Sequence, residues 1–210
     1  MVSKWVVVGV SGATCSGKTT LAKNLHKVFP QSVTISQDDY FFPPDSTRHV
    51  LVESLGHLNW ELMSALDMES MKADVRSLLS QDPSTAVLPA KAKRSEKILQ
   101  NGTENGYPHI LILEGFLLLN DHEISDMCDL RYYLTLTREQ CWHRRHVRVY
   151  DPPDIPGYFE QVVWPEYVKN RDQVLLKPNV RVLDGALSQD GILCVVRSEI
   201  GSASEAKGKA

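Results

Sequence analysis

No stretch of this 210-residue chain approaches the roughly 18 consecutive apolar residues of a bilayer crossing, so nothing in it reads as a membrane span. The opening "MVSKWVVVGVSGA" holds one Lys and an apolar run shorter than a signal core, with a glycine-rich motif straight after it, which argues against export. Cysteine is sparse: Cys15, Cys128, Cys141 and Cys194 are scattered with no C-x-x-C spacing, as expected of reduced thiols in a cytoplasmic protein. Basic residues are not in excess, with 23 Lys and Arg against 26 Asp and Glu and a net charge of -3, which disfavours a nucleic-acid partner held by general electrostatics. The N-K-x-D element that reads guanine is missing, and "DIPG" (154–157) matches the D-x-x-G switch only in a proline-rich loop. There is no internal repeat, and His143 and His146 lack the further ligands that a metal site requires.

What the chain does have is a series of short β-branched runs. "WVVVGV" (5–10), "SVTIS" (32–36), "HILIL" (109–113), "RYYLTLT" (131–137) and "VRVLD" (180–184) read as strands, most of them without alternation and so buried on both faces. Helical spacing lies between them. Leu21, Leu25 and Val28 form one stripe; Met68, Met71, Val75 and Leu78 form another, with Asp67 as N-cap. "REQCWHRRHVRVY" and "PEYVKNRDQVLL" follow, the second with Pro165 at a helix start, and Ile192, Val195, Val196 and Ile200 mark a last helix. Strands alternating with helices predict an α/β protein with a five-stranded, mostly parallel sheet and helices on both faces. One domain over 1–200 is expected, with a polar surface insertion at about 81–108 and a flexible tail over 201–210. The Asn101-Gly102-Thr103 sequon inside the insertion is read as a chance match.

"GATCSGKT" (12–19) matches G-x-x-x-x-G-K-[ST], with an apolar strand running in and an amphipathic helix running out. The glycines let backbone N–H groups turn inward on phosphate oxygens, and the helix N-terminus adds positive potential. Nucleotide binding is therefore predicted for Gly12, Ala13, Thr14, Cys15, Ser16, Gly17, Lys18, Thr19 and Thr20, which become the ATP site under the resemblance given below. Lys18 can reach the β- and γ-phosphates, and the Thr19 hydroxyl can ligate Mg²⁺.

Acids stand at two strand ends. "SQDDYFF" puts Asp38 and Asp39 after the second strand, and Glu114 follows "HILIL". In a parallel sheet both places lie beside the phosphate loop, where carboxylates can hold Mg²⁺ and accept a proton from an attacking hydroxyl. A polar turn in the first case and a loop cap in the second are the plainer alternatives. "CWHRRHVRVYDPPDIPGYF" sets Arg144, Arg145 and Arg148 on one broad helix face and then stiffens the chain with prolines. That suits either a solvated basic face or a lid, over about 141–158, that closes on transferring phosphate and excludes water.

With these residues in hand the chain resembles the nicotinamide riboside kinases, in the uridine-kinase-like branch of three-layer P-loop metabolite kinases. The signatures are "SGATCSGKTTLAKNL", "ISQDDYF", "LNWELMSALDMESM", "ILEGFLLLN" and "RVYDPPDIPGYFEQVVWPEYVKNR". The resemblance implies ATP-dependent phosphorylation of the ribose 5′-hydroxyl of nicotinamide riboside, with nicotinic acid riboside as a second acceptor, feeding NAD biosynthesis. It implies Asp38 as the catalytic acid–base group with Lys18 and Glu114 beside it, and Thr19, Asp38 and Glu114 around Mg²⁺. Trp60 matches the aromatic that stacks on the pyridine ring, with Tyr150 on its other side. Asp38, Asp39, Tyr40, Phe41, Glu61, Arg145 and Asp151 complete the nucleoside site. Arg144, Arg148, Val149 and Tyr150 fall on the ATP side, and Leu187, Ser188 and Gln189 near the adenine. Glu61 stands where the family usually has Asp, and Cys15 where it has Asn or another small residue. Two rival readings are a sibling kinase for uridine or another nucleoside, and a P-loop module that holds ATP without turnover. The second would need no proton acceptor.

Overall fold

The computed structural model describes residues 5–94 and 108–208, so the Asn101 sequon and the later part of the expected insertion lie outside the described residues. Strand β1 (Val6–Gly12) is buried along its whole length, and its side chains alternate between two cores. Val6, Val8 and Val10 pack with Leu21 and Leu25 of helix α1 (Lys18–Val28) and with Ile192, Val196 and Ile200 of helix α6 (Gln189–Gly208). Trp5 and Val7 face the other way, towards Met71, Val75 and Leu78 of α2 (Met68–Leu79), Ile124 of α3 (His122–Met127) and Val174 of α5 (Trp164–Leu175). Each such buried aliphatic side chain contributes about 1.5–3 kcal/mol, and the continuous apolar runs exist because both strand faces need filling.

Beside β1 lie β6 (Ile110–Glu114) and β7 (Leu130–Thr135), then β2 (Val33–Ser36) outside β6 and β8 (Val180–Asp184) outside β7, all parallel. From β1 the chain goes to one side, to β2, and later it crosses β1 from β6 to reach β7 on the other side. The strand order therefore reverses at β1, and ligands of open α/β sheets bind at the carboxyl end of such a point. Gly12, Ser36, Glu114 and Thr135 all end there.

Three expectations are corrected, and one element is added. Among the described residues the sheet has six strands, not five, because β5 (Lys93–Arg94), inside the segment read as a surface insertion, pairs antiparallel with Val33 and Thr34. A hairpin of β3 (Val50–Val52) and β4 (His57–Asn59), too short to show a period, delivers Trp60 to the site. The tail expected to fray from Gly201 stays helical to Gly208, and the Lys207 ammonium ties it down by donating to the Trp5 carbonyl and to Asp129 Oδ2, both at 2.7 Å. Helix α4 (Arg138–Arg145), opened by a capping box from Thr137 and Gln140, stops before Arg148, so the three arginines do not share one helix. Other expectations hold: Asp67 caps α2 by accepting from the Ser70 amide at 3.1 Å, and Pro165 lies in the first turn of α5. A wide π-type turn, Phe159–Val163, runs directly into that helix.

Candidate active site

The phosphate loop starts at a residue that only glycine can fill. Gly12 has φ +132°, and a Cβ there would lie 2.1 Å from the Leu134 carbonyl oxygen. The next amide, Ala13, donates to that same oxygen at 3.0 Å, which fixes the loop against β7. Gly17 (φ 99°) then turns the chain into α1, whose first N–H groups face the cleft. The Lys18 ammonium folds back over the loop, donating to the Ala13 carbonyl at 2.7 Å and the Gly12 carbonyl at 3.2 Å. Burial lowers its pKa, against the pull of Asp38 and Glu114.

Opposite it, Glu114 is 5% exposed and bridges two elements. Its Oε2 accepts from the Thr19 hydroxyl at 2.9 Å and its Oε1 from the Ser36 hydroxyl at 3.2 Å. Burial pushes this carboxyl up, while Lys18 and the two hydroxyls hold it down. Asp38, one strand over, faces the cleft and is solvent-exposed. The set of a hydroxyl and two carboxylates is all oxygen, with the Thr19 and Glu114 atoms already in contact. That suits Mg²⁺, which commonly takes one or two protein carboxylates together with substrate phosphates.

These groups line one side of a cleft of about 650 Å³. Its other end is aromatic, a cluster of Phe41, Trp60, Phe116 and Tyr158, with Phe41 edge-on to Trp60 and stacked on Phe116, whereas Tyr150 stands against the phosphate loop. Tyr158 is fixed in the core and its hydroxyl oxygen accepts from the Trp60 amide at 2.9 Å, while His49 packs on the indole with ring centroids 4.3 Å apart. Glu61 and Arg145 lie between the two ends. Arg145 is 5% exposed, forks onto Asp154 with bonds of 2.6 and 2.9 Å, donates to the Thr14 hydroxyl at 3.1 Å, and stands 3.4 Å from Glu61. Burial opposes its charge, but Asp154 and Glu61 more than offset that and raise its pKa. Burial also dominates at Glu61, whose carboxyl is pushed up to about 7 although Arg145 pulls it down.

The structure brings Thr14, Cys15, Gly17, Lys18, Thr19, Thr20, Asp38, Phe41, Trp60, Glu61 and Glu114 to this cleft, with Arg144, Arg145, Arg148, Tyr150 and Asp151 across from them. Arg148 arrives from a turn beyond α4, its amide donating to the Arg145 carbonyl at 3.0 Å. Arg144 donates to the carbonyls of Cys15 and Gly185, at 3.2 and 3.0 Å. A second groove of about 400 Å³ adjoins the loop, lined by Ser16, Thr20, Leu187, Ser188 and Gln189, where the adenine was expected.

Five expected site residues do not line either groove: Gly12 and Ala13 anchor the loop against β7, and Asp39, Tyr40 and Val149 are turned away. Gln37–Tyr40 forms a 3₁₀ turn, whose period of three puts Gln37 and Tyr40 on one side, and both are buried. Tyr40 therefore points into the core and donates to Asp74 Oδ2 at 2.6 Å, and Asp39 turns outward to pair with Lys93 at 2.7 Å. Val149 is 93% exposed and projects to solvent. Tyr150 is in the cleft but otherwise engaged than the family pattern implies. Its hydroxyl lies 3.2 Å from the Thr14 hydroxyl and 3.3 Å from the Cys15 sulfur, and Arg145 and Arg148 lie over its ring at 4.3 and 5.0 Å. Residue-by-residue reading missed Asp154, Tyr158 and Phe116. The first two sit in the quoted "DPPDIPGYF", but nothing local says that they hold Arg145 and Trp60.

Among known proteins, the phosphoribulokinase / uridine kinase family matches residues 7–151. Nicotinamide riboside kinase 1 of Rattus norvegicus is 38% identical over 198 residues, covering 94% of both chains. The Homo sapiens nicotinamide riboside kinase 1 is also 38% identical, over 94% of this chain and 92% of its own. A gluconokinase structure from Sinorhizobium meliloti 1021 superposes with a TM-score of 0.53 over 98% of this chain and 96% of that one, at 12% identity, a likeness of fold alone. With a phosphate loop, strand-end acids and an aromatic pocket in one cleft, the chain belongs to the phosphoribulokinase / uridine kinase family and, within it, to the nicotinamide riboside kinases.

Proposed function

We propose that this protein transfers the γ-phosphoryl group of ATP to the ribose 5′-hydroxyl of nicotinamide riboside, giving the mononucleotide and ADP. The observation that carries this reading is the layout of one cleft of about 650 Å³, with a phosphate cradle and two strand-end carboxylates at one end and a cluster of aromatics, Phe41, Trp60, Phe116 and Tyr158, at the other. The 5′-oxygen attacks the γ-phosphorus, the bond to the ADP oxygen breaks, and Asp38 accepts the hydroxyl proton. Thr19, Asp38 and Glu114 would hold Mg²⁺, which neutralises phosphate charge when bound. Lys18, Arg144 and Arg148 serve the phosphates, and closing the arginine segment over them keeps water, the competing acceptor, out. Arg145 and Glu61 receive the ribose hydroxyls.

Trp60 decides the acceptor class. A nicotinamide riboside carries a cationic ring, and an indole attracts cations by ~0.5–2 kcal/mol. Trp60→Ala is expected to raise the KM for nicotinamide riboside roughly 2- to 30-fold while leaving the KM for uridine nearly unchanged. A coupled ADP-release assay on both nucleosides, with a melting curve, provides the check. Equal losses on both, with a lowered Tm, would make Trp60 a packing residue and favour a sibling nucleoside kinase.

Glu61 gives a pH signature. With its carboxyl titrating at about 7, the anion that accepts ribose hydroxyls is depleted below neutrality. The acceptor KM is expected to rise as pH falls from 8 to 6, and Glu61→Gln should flatten that profile. A wild-type KM independent of pH would remove Glu61 from ribose binding.

A further inference from the structure

Gln37 is a polar side chain with no exposed surface, set between Ser36 and Asp38 at the end of β2. Its carboxamide crosses to the neighbouring strand end. Oε1 accepts from the Leu117 amide at 2.9 Å, just past Glu114, and Nε2 lies 3.4 Å from the Met68 sulfur. Gly115 leaves the passage open, for a Cβ there would stand 2.3 Å from Gln37 Cβ and 2.4 Å from its Oε1. One residue back, Ser36 pairs in register with Glu114 and donates to its Oε1. A Leu or Met would fill this space but leave the Leu117 amide without an acceptor, so the glutamine contributes stability as well as geometry. What the amide adds is a directional tie between the turn that carries Asp38 and the loop that follows Glu114.

We infer that Gln37 is a positioning residue that fixes the spacing of the Asp38 and Glu114 carboxylates, with Gly115 as its required partner. The inference rests on the roles proposed for those two acids. Residues that orient metal-holding carboxylates typically cost ~10–100-fold in metal affinity or activity when replaced. Gln37→Met keeps the length and volume but offers the Leu117 amide no oxygen. In the metal-free protein, hydrogen exchange at the Leu117 amide is expected to accelerate at least tenfold, with Tm lowered by a few degrees only. In the assay, the Mg²⁺ concentration for half-maximal turnover should rise about tenfold or more, while the KM for the nucleoside stays put.

A second pair covers the case in which Gln37→Met does not fold. Gly115→Ala should raise the Mg²⁺ requirement by pushing the Gln37 side chain aside, and adding Gln37→Gly, which removes the clashing Cβ as well as the amide, should relieve the crowding, leaving the double variant no worse than Gln37→Gly alone. Unchanged Mg²⁺ dependence in Gln37→Met despite faster Leu117 exchange, or a double variant as impaired as the two losses combined, would overturn the assignment. If Asp38→Asn and Glu114→Gln themselves retain turnover, the fault lies with the proposed carboxylate roles instead.

Discussion

Asp38→Asn is expected to bind ATP with near wild-type affinity and to lose turnover by ~10²–10⁴-fold. The side chain faces the cleft from the end of β2, across from the Lys18 ammonium that its charge helps to keep protonated. An amide has the same shape and can still accept a hydrogen bond, but it cannot take up the proton released as the 5′-oxygen attacks. The loss should appear in kcat, because the groups proposed to bind phosphate, the loop amides, Lys18 and the arginines, all stay in place. Removal of one carboxylate from the Thr19–Glu114 site should also raise the Mg²⁺ requirement, and excess Mg²⁺ should not restore kcat. ATP binding by calorimetry, alongside single-turnover kinetics, separates the two effects. A variant that keeps half of the wild-type kcat would show that Asp38 is not the base.

How far the sequence reached follows the range of the interactions involved. The strands were legible because burial on both faces demands uninterrupted apolar runs, and Asp67 as a cap needs only its own next three residues. The phosphate loop was legible for a similar reason: its glycine positions, helix start and lysine lie within eight residues. What escaped depends on partners far along the chain. The strand Lys93–Arg94 has no period of its own and exists because β2 has a free edge. The family resemblance puts Asp39 and Tyr40 in the nucleoside site, but a 3₁₀ turn sends successive side chains in three directions and only Asp38 enters the cleft. Arg148 was placed on a helix that ends three residues earlier, yet the turn returns it to the same cleft as Arg144 and Arg145. The chemistry of the segment was therefore readable where its geometry was not. Asp154 shows the limit most clearly, since its grip on Arg145 depends on the fold of the whole loop.

Replacing Arg145 should cost activity and stability by separable routes. Arg145→Met removes the fork on Asp154, the donor to Thr14 and the cation beside Glu61. If two charge-assisted bonds to the bound nucleoside and its surroundings are lost, at ~1.5–3 kcal/mol each, kcat/KM falls by at least ~10²-fold. Stability falls because a buried acid is left without its partner, a change that typically costs ~3–5 kcal/mol. The pH dependence identifies which acid. The folded-state pKa of Glu61 lies above its unfolded value, so wild-type stability declines as pH rises from about 4.5 to about 7 and then levels off. Without Arg145 that pKa rises further, and the decline continues above pH 7. The Tm gap between wild type and Arg145→Met should accordingly widen between pH 7 and 8. Adding Glu61→Gln should close that added gap, because no ionisable carboxyl remains at position 61, and should leave activity low. Arg145→Lys separates charge from geometry: an ammonium still pulls the Glu61 carboxyl down but cannot span Asp154, Thr14 and Glu61 together, so stability should largely return while kcat/KM does not. Full activity in Arg145→Lys would show that only the charge is needed and that the fork plays no part in receiving the ribose.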